Sequence, residues 1–148
     1  MPEILLLFHS YFRWIVVITF LISIFFLINS YKSKVFLDTF KKIHKIFAIA
    51  LSIQFLIGLI LYGFSPITMR VFTDFGSVMK DKDLRFFAVE HNFIMTLALA
   101  LSHIANAKLK KESLDFQKQF KIILIFYVLI IILFTIGIPW NNRPLFRY

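Results

Sequence analysis

The chain has 148 residues, 59% of them hydrophobic, with 17 basic against 8 acidic side chains and a mean hydropathy of +0.81. A water-soluble domain is only about half apolar, so this composition points to lipid, and the length suits one compact unit. Cysteine is absent, which excludes disulfides, thiolate metal sites, iron–sulfur clusters and haem attached through C-x-x-C-H.

Four apolar segments follow in chain order, at residues 5–28, 46–62, 86–106 and 120–138. Each is near the ~20 residues that carry a helix across the hydrocarbon core. Helix is the state available to them, because an open strand would leave backbone groups unpaired in lipid. The chain therefore reads as one all-α domain over residues 1–148, an integral membrane four-helix bundle. The first segment lacks a basic leader and a small-residue cleavage site, and is read as a span rather than a cleaved signal.

The connections carry the charge. Residues 29–45 hold Lys32, Lys34, Lys41, Lys42 and Lys45, and residues 107–121 hold Lys108, Lys110, Lys111, Lys118 and Lys121. The opposite side holds Arg70, Lys80, Lys82, Arg85, Arg143 and Arg147, offset by Asp74, Asp81 and Asp83. The positive-inside rule then puts the Lys-rich loops in the cytoplasm and both termini outside. Basic residues beside apolar spans match anionic lipid, not nucleic acid. With 12 Lys and 20 Phe, the composition suggests an AT-rich bacterial genome, hence a multi-pass protein of a bacterial inner membrane.

Between the second and third spans, Ser65 and Pro66 form a helix start. Ile67, Val71, Phe72, Phe75 and Met79 then repeat at helical spacing. This predicts a short amphipathic helix on the outer membrane surface. After the last span, Trp140, Phe146 and Tyr148 read as an interfacial aromatic belt.

The histidines sort by depth. His9 and His91 fall near the outer ends of the first and third spans, His44 at the cytoplasmic start of the second, and His103 near the cytoplasmic end of the third. The first and third helices sit diagonally in a four-helix ring, so paired histidines can ligate one flat cofactor from both sides. Haem b suits that pattern, since its iron takes axial imidazoles and its macrocycle needs an apolar slot. His91 and His103 are roughly 18 Å apart along the axis but turned by roughly 120°. One haem on His9 and His91 is therefore expected rather than two, with a second site drawing on His103 and His44. The competing reading is that these histidines merely hydrogen-bond between helices.

Arg13 follows His9 by one turn and shares its face. Its expected partner is Glu90 or a haem propionate. Glu90 diverges from His91 by about 100° and does not ligate beside it. Gly58 permits a close approach by a ring or a helix. Glu-x-x-His pairs, H-E-x-x-H, G-x-S-x-G and phosphate-cradling glycine loops are all missing, which argues against di-iron, zinc-hydrolase, serine-hydrolase and nucleotide chemistry.

HSYFRW in the first span, AVEH and SHIANAK in the third and the closing IGIPWNNRPL carry a family likeness. The chain resembles a group of small four-helix, cytochrome-b-like membrane proteins of Bacteroidetes-type bacteria. That resemblance implies functional roles for His9, Arg13, Trp14, Glu90, His91 and His103. The family pattern places a His before a Gln in the second span, where this chain has Ser52-Ile53-Gln54.

The leading expectation is a membrane b-type haem protein that transfers electrons through bis-His ligation, with cofactor contacts from His9, His91, His103, His44 and Arg13. Its partners would be the bilayer, a quinol or redox protein, and further copies or subunits of a larger complex. The alternatives are a non-catalytic accessory subunit and a quinone- or porphyrin-handling membrane enzyme.

Overall fold

The computed structural model describes residues 2–110 and 115–140. Among the described residues all regular structure is helical: α1 (Pro2–Ser33), α2 (Asp38–Phe64), α3 (Pro66–Thr73), α4 (Phe75–Lys80), α5 (Lys82–Arg85), a π-helical turn (Phe86–Glu90), α6 (His91–Leu109) and α7 (Phe116–Gly137). Four stretches are long and apolar enough to cross a membrane: Glu3–Ser33, Asp38–Phe64, Lys82–Leu109 and Phe116–Gly137. The four spans stand where hydropathy puts them, as expected of a multi-pass membrane chain.

Each helix runs beyond its apolar segment, because hydrogen bonding continues into the interface after hydropathy has fallen. The largest extension is in α2, which begins at Asp38 and so makes Lys41, Lys42, His44 and Lys45 helical rather than loop. The connection to it is short. α1 ends at Ser33, and Lys34 takes a left-handed φ of 57°, a helix-ending conformation more often given to glycine. Leu37 at the start of α2 has no side-chain cap of its own. Ser30 supplies the acceptor instead, taking the Leu37 amide at 3.3 Å while its hydroxyl donates to Phe26 O at 3.0 Å.

α1 packs along α2, α2 against α6, and α6 against α7. α7 reaches back to α1 through Phe20 stacked on Tyr127 at 5.4 Å and Tyr31 on Phe120 at 4.9 Å. The surfaces are those of a lipid-immersed protein. Large apolar side chains such as Ile18, Leu21, Phe25, Leu56, Ile125 and Ile132 face outward. Large and small residues share the interior: Phe40, Phe47, Ile123, Ile130 and Tyr127 are buried together with Ser23, Ser30, Ala98, Ser102 and Ala105. Lipid tails are as apolar as leucine, so burial of apolar surface does not drive these helices together. Van der Waals packing of this core and hydrogen bonds between the helices do.

The segment between the second and third spans is not one amphipathic helix but several short ones. Asp74 interrupts the expected stripe. With φ −150° and ψ 69° it ends α3, and its carboxylate accepts the Ser77 amide at 3.2 Å to cap α4. Ser77 holds the Asp74 carboxyl below its ordinary value through that bonding, so the cap is charged at neutral pH and lost only in acid. Asp81 caps α5 by accepting from Asp83 and Leu84 at 2.9 and 3.0 Å. The face turned inward is Thr68 and Val78, while Phe72 and Phe75 are exposed. Trp140 is also exposed, its indole donating to Thr135 O at 3.0 Å. Phe146 and Tyr148 of the expected belt, with Lys111, Arg143 and Arg147, lie outside the described residues.

Candidate functional site

One end of the helices encloses a cavity of about 460 Å³ whose lining includes His9, Arg13, Gln54, Gly58, His91 and Asn92. That volume lies within the range of ligand and cofactor pockets, about 300–1,000 Å³. The end is set by chain direction: the start of α1, the close of α2, the start of α6 and the close of α7 meet there. Segment 65–68, at the head of α3, forms part of the rim.

His9 of α1 and His91 of α6 meet across this cavity. Their ring centres are 6.4 Å apart and their planes are inclined by 76°. Each ring is held from behind. The Nδ1–H of His91 donates to the Gly137 carbonyl at 2.7 Å, which leaves Nε2 with the lone pair. His9 lies against Gly58, where an added Cβ would sit 3.2 Å from its Cε1. Its buried Nδ1 has no hydrogen-bond partner among the described residues. The Gln54 side chain ties down the same residue, donating from Nε2 to His9 O at 2.9 Å, while its buried Oε1 has no partner. A carbonyl behind the imidazole, as Gly137 O stands behind His91, is the arrangement that fixes tautomer and orientation in metal-ligating histidines.

Arg13 also lines the cavity, and its guanidinium stands 5.6 Å over the Trp14 ring. The expected Arg13–Glu90 pair is not formed. Glu90 binds Arg85 instead, Nε to Oε1 at 2.6 Å, and Arg85 Nη1 donates to Met79 O at 3.1 Å.

His44 and His103 lie towards the other end. The His44 ring is fully buried, with both nitrogens engaged inside the protein. Its Nε2 lies 3.1 Å from Ser102 O. A carbonyl only accepts, so Nε2 carries the proton. Tyr127 OH then donates to Nδ1 at 2.8 Å and accepts from the Ser23 hydroxyl. His103 is exposed on α6, and its Nε2 donates at 2.9 Å to Ser52 Oγ, whose own proton goes to Ala48 O at 2.8 Å. The two histidines thus belong to separate hydrogen-bonded sets and do not share a cavity as His9 and His91 do. His44→Ala should remove the acceptor of the buried Tyr127 hydroxyl's proton and the side-chain donor to Ser102 O, lowering stability by about 1–3 kcal/mol. Thermal unfolding in detergent measures this, and ligand binding in the His9–His91 cavity should be unchanged.

Sequence reasoning found His9, His91, Arg13 and Gly58 but missed Gln54, Tyr62, Arg85 and Gly137. Two of these were signalled. Gln54 is a lone amide one turn from a glycine in an apolar span, and Gly137 is a glycine in the final turn of another. Among the described residues no group of three or more His, Asp or Glu side chains is placed to hold a bare metal ion. Comparison with known family models, with curated proteins and with solved structures finds no match.

Proposed function

We propose that this chain is a b-type haem protein of a bacterial inner membrane, with His9 and His91 as axial ligands across a four-helix bundle. The observation that carries the reading is the facing pair of imidazoles. An ion bound by a nitrogen at about 2.0–2.1 Å on each side, with roughly 1.1 Å from nitrogen to ring centre, separates the centres by roughly 6.3 Å. His9 and His91 stand 6.4 Å apart. Two protein ligands are too few for a tetrahedral zinc centre, whereas a porphyrin brings four donors of its own. The mostly apolar cavity and the carbonyl behind His91 support that assignment.

Haem bound there would supply one-electron chemistry at iron. The chain's part is to present the two Nε2 atoms, keep water from the slot and hold positive charge nearby. Arg13 is suited to a propionate carboxylate, a charge-assisted bond of the stronger kind. His44 and His103, committed to separate hydrogen bonds, favour one haem over two. The resemblance to small cytochrome-b-like membrane proteins supports the same reading, with both termini outside and a quinol or redox protein as electron partner.

A reduced-minus-oxidised absorption spectrum of the detergent-purified protein, with a pyridine haemochrome count, tests the proposal. The expected result is a b-type signal at one haem per chain. No signal from cells with ample haem would overturn it in favour of an accessory subunit whose histidines only join helices.

A further inference from the structure

His91 follows directly on the π-helical turn Phe86–Glu90, and its amide bonds Phe86 O, five residues back. Such turns are uncommon in helices and concentrate at functional sites. This one is secured on two sides. From α2, the Tyr62 hydroxyl donates to Ala88 O at 3.0 Å, in the middle of the turn, where Ala88 is buried. The Tyr62 carbonyl is itself tied to the start of α3, accepting from the Ser65 amide at 3.4 Å and from the Thr68 hydroxyl. From α5, Arg85 bonds Glu90 at 2.6 Å and Met79 O of α4 at 3.1 Å.

The Arg85–Glu90 spacing is informative. Residues five apart on an α-helix point about 140° away from each other, so their side chains would not meet there. In the wide turn they do. The ion pair and the turn therefore stabilise one another, and the Tyr62 hydroxyl satisfies a buried carbonyl inside it. If the segment rewound as α-helix, the chain before His91 would rotate by about 100° per residue displaced. Either α5 or the His91 ring would then have to move.

We infer that Tyr62 and the Arg85–Glu90 pair are positioning residues that hold the π-helical turn and thereby aim His91 at His9. The inference concerns the protein's own geometry and holds whether or not the cavity takes haem. Its readout is the His91 tautomer. A ring anchored on Gly137 O is protonated at Nδ1, whereas His44 and His103 are protonated at Nε2.

The test is nitrogen NMR of histidine-labelled full-length protein in detergent, without added cofactor. Wild type should show His91 protonated at Nδ1. Tyr62→Phe and Glu90→Gln should each lose that signal to the Nε2-protonated form, with His44 and His103 unmoved. The exchange R85E/E90R should restore it in part, since a carboxylate at 85 cannot donate to Met79 O. If Tyr62→Phe disturbs all four histidines through misfolding, Glu90→Gln decides, because that pair is partly exposed. An unchanged His91 signal in Glu90→Gln, or in both folded variants, would overturn the inference. Absence of haem from wild type would sink the cofactor proposal and leave this result standing.

Discussion

Replacing His9 or His91 by alanine is expected to strip haem from a protein that still inserts and folds. One imidazole remains in each variant, and occupancy should fall by more than about tenfold, a loss above about 1.4 kcal/mol. Neither ring is a keystone of packing: both are only partly buried at the cavity wall. His91→Ala leaves the Gly137 carbonyl without its side-chain donor, so it should be the less stable of the two. His103→Ala, at an exposed position bonded to Ser52, should keep its haem. Haemochrome counts on the three variants, each checked for monodispersity, decide the matter. Retention of haem in both cavity variants would dismiss the ligand assignment.

Gly137→Ala should have a structural effect of similar weight. A Cβ there would fall 2.6 Å from Ile94 Cγ2 and also strike Met95, side chains of α6 in the turn after His91. Overpacking of this kind costs about 1–3 kcal/mol. α7 must retreat from α6, and the carbonyl that holds His91 goes with it. The variant should melt earlier in detergent and shift the absorption and reduction potential of any bound haem. Gly63→Ala is the matched control, since nothing lies within 4 Å of its added Cβ. There the gain in helix propensity should make the change neutral or slightly stabilising. Equal melting of the two variants would count against close packing at Gly137.

How much of this could be read beforehand depends on the kind of signal. The spans were legible because lipid leaves a long apolar run one backbone solution. The meeting of His9 and His91 was legible from depth alone, both lying a short way into their helices from the same end. The environment of His44 was not. Its neighbours Lys41, Lys42 and Lys45 suggest a solvated position, but the early start of α2 turns His44 inward while the lysines face away or lie along the surface. The Arg13–Glu90 pairing failed for a different reason. It rested on similar depth in the first and third spans, and depth does not register the π-helical turn, which delivers Glu90 to Arg85. The broken surface helix has the same lesson in miniature: Asp74 and Asp81 are cap residues whose local bonds override the apolar stripe across them.

The depth of the His9–His91 cavity bears on energetics beyond the site itself. His9 lies roughly 10 Å along a helix about 48 Å long, so with α1 spanning a bilayer the cavity would lie in one leaflet. A full charge crossing the bilayer exchanges about 2.3 kcal/mol with each 100 mV of membrane potential. An electron that enters and leaves by the near face traverses only a small part of that field. Turnover confined to this end would therefore proceed at nearly the same rate in energised and de-energised vesicles. Strong dependence on voltage would require a second carrier, on another subunit, to take the electron the remaining distance.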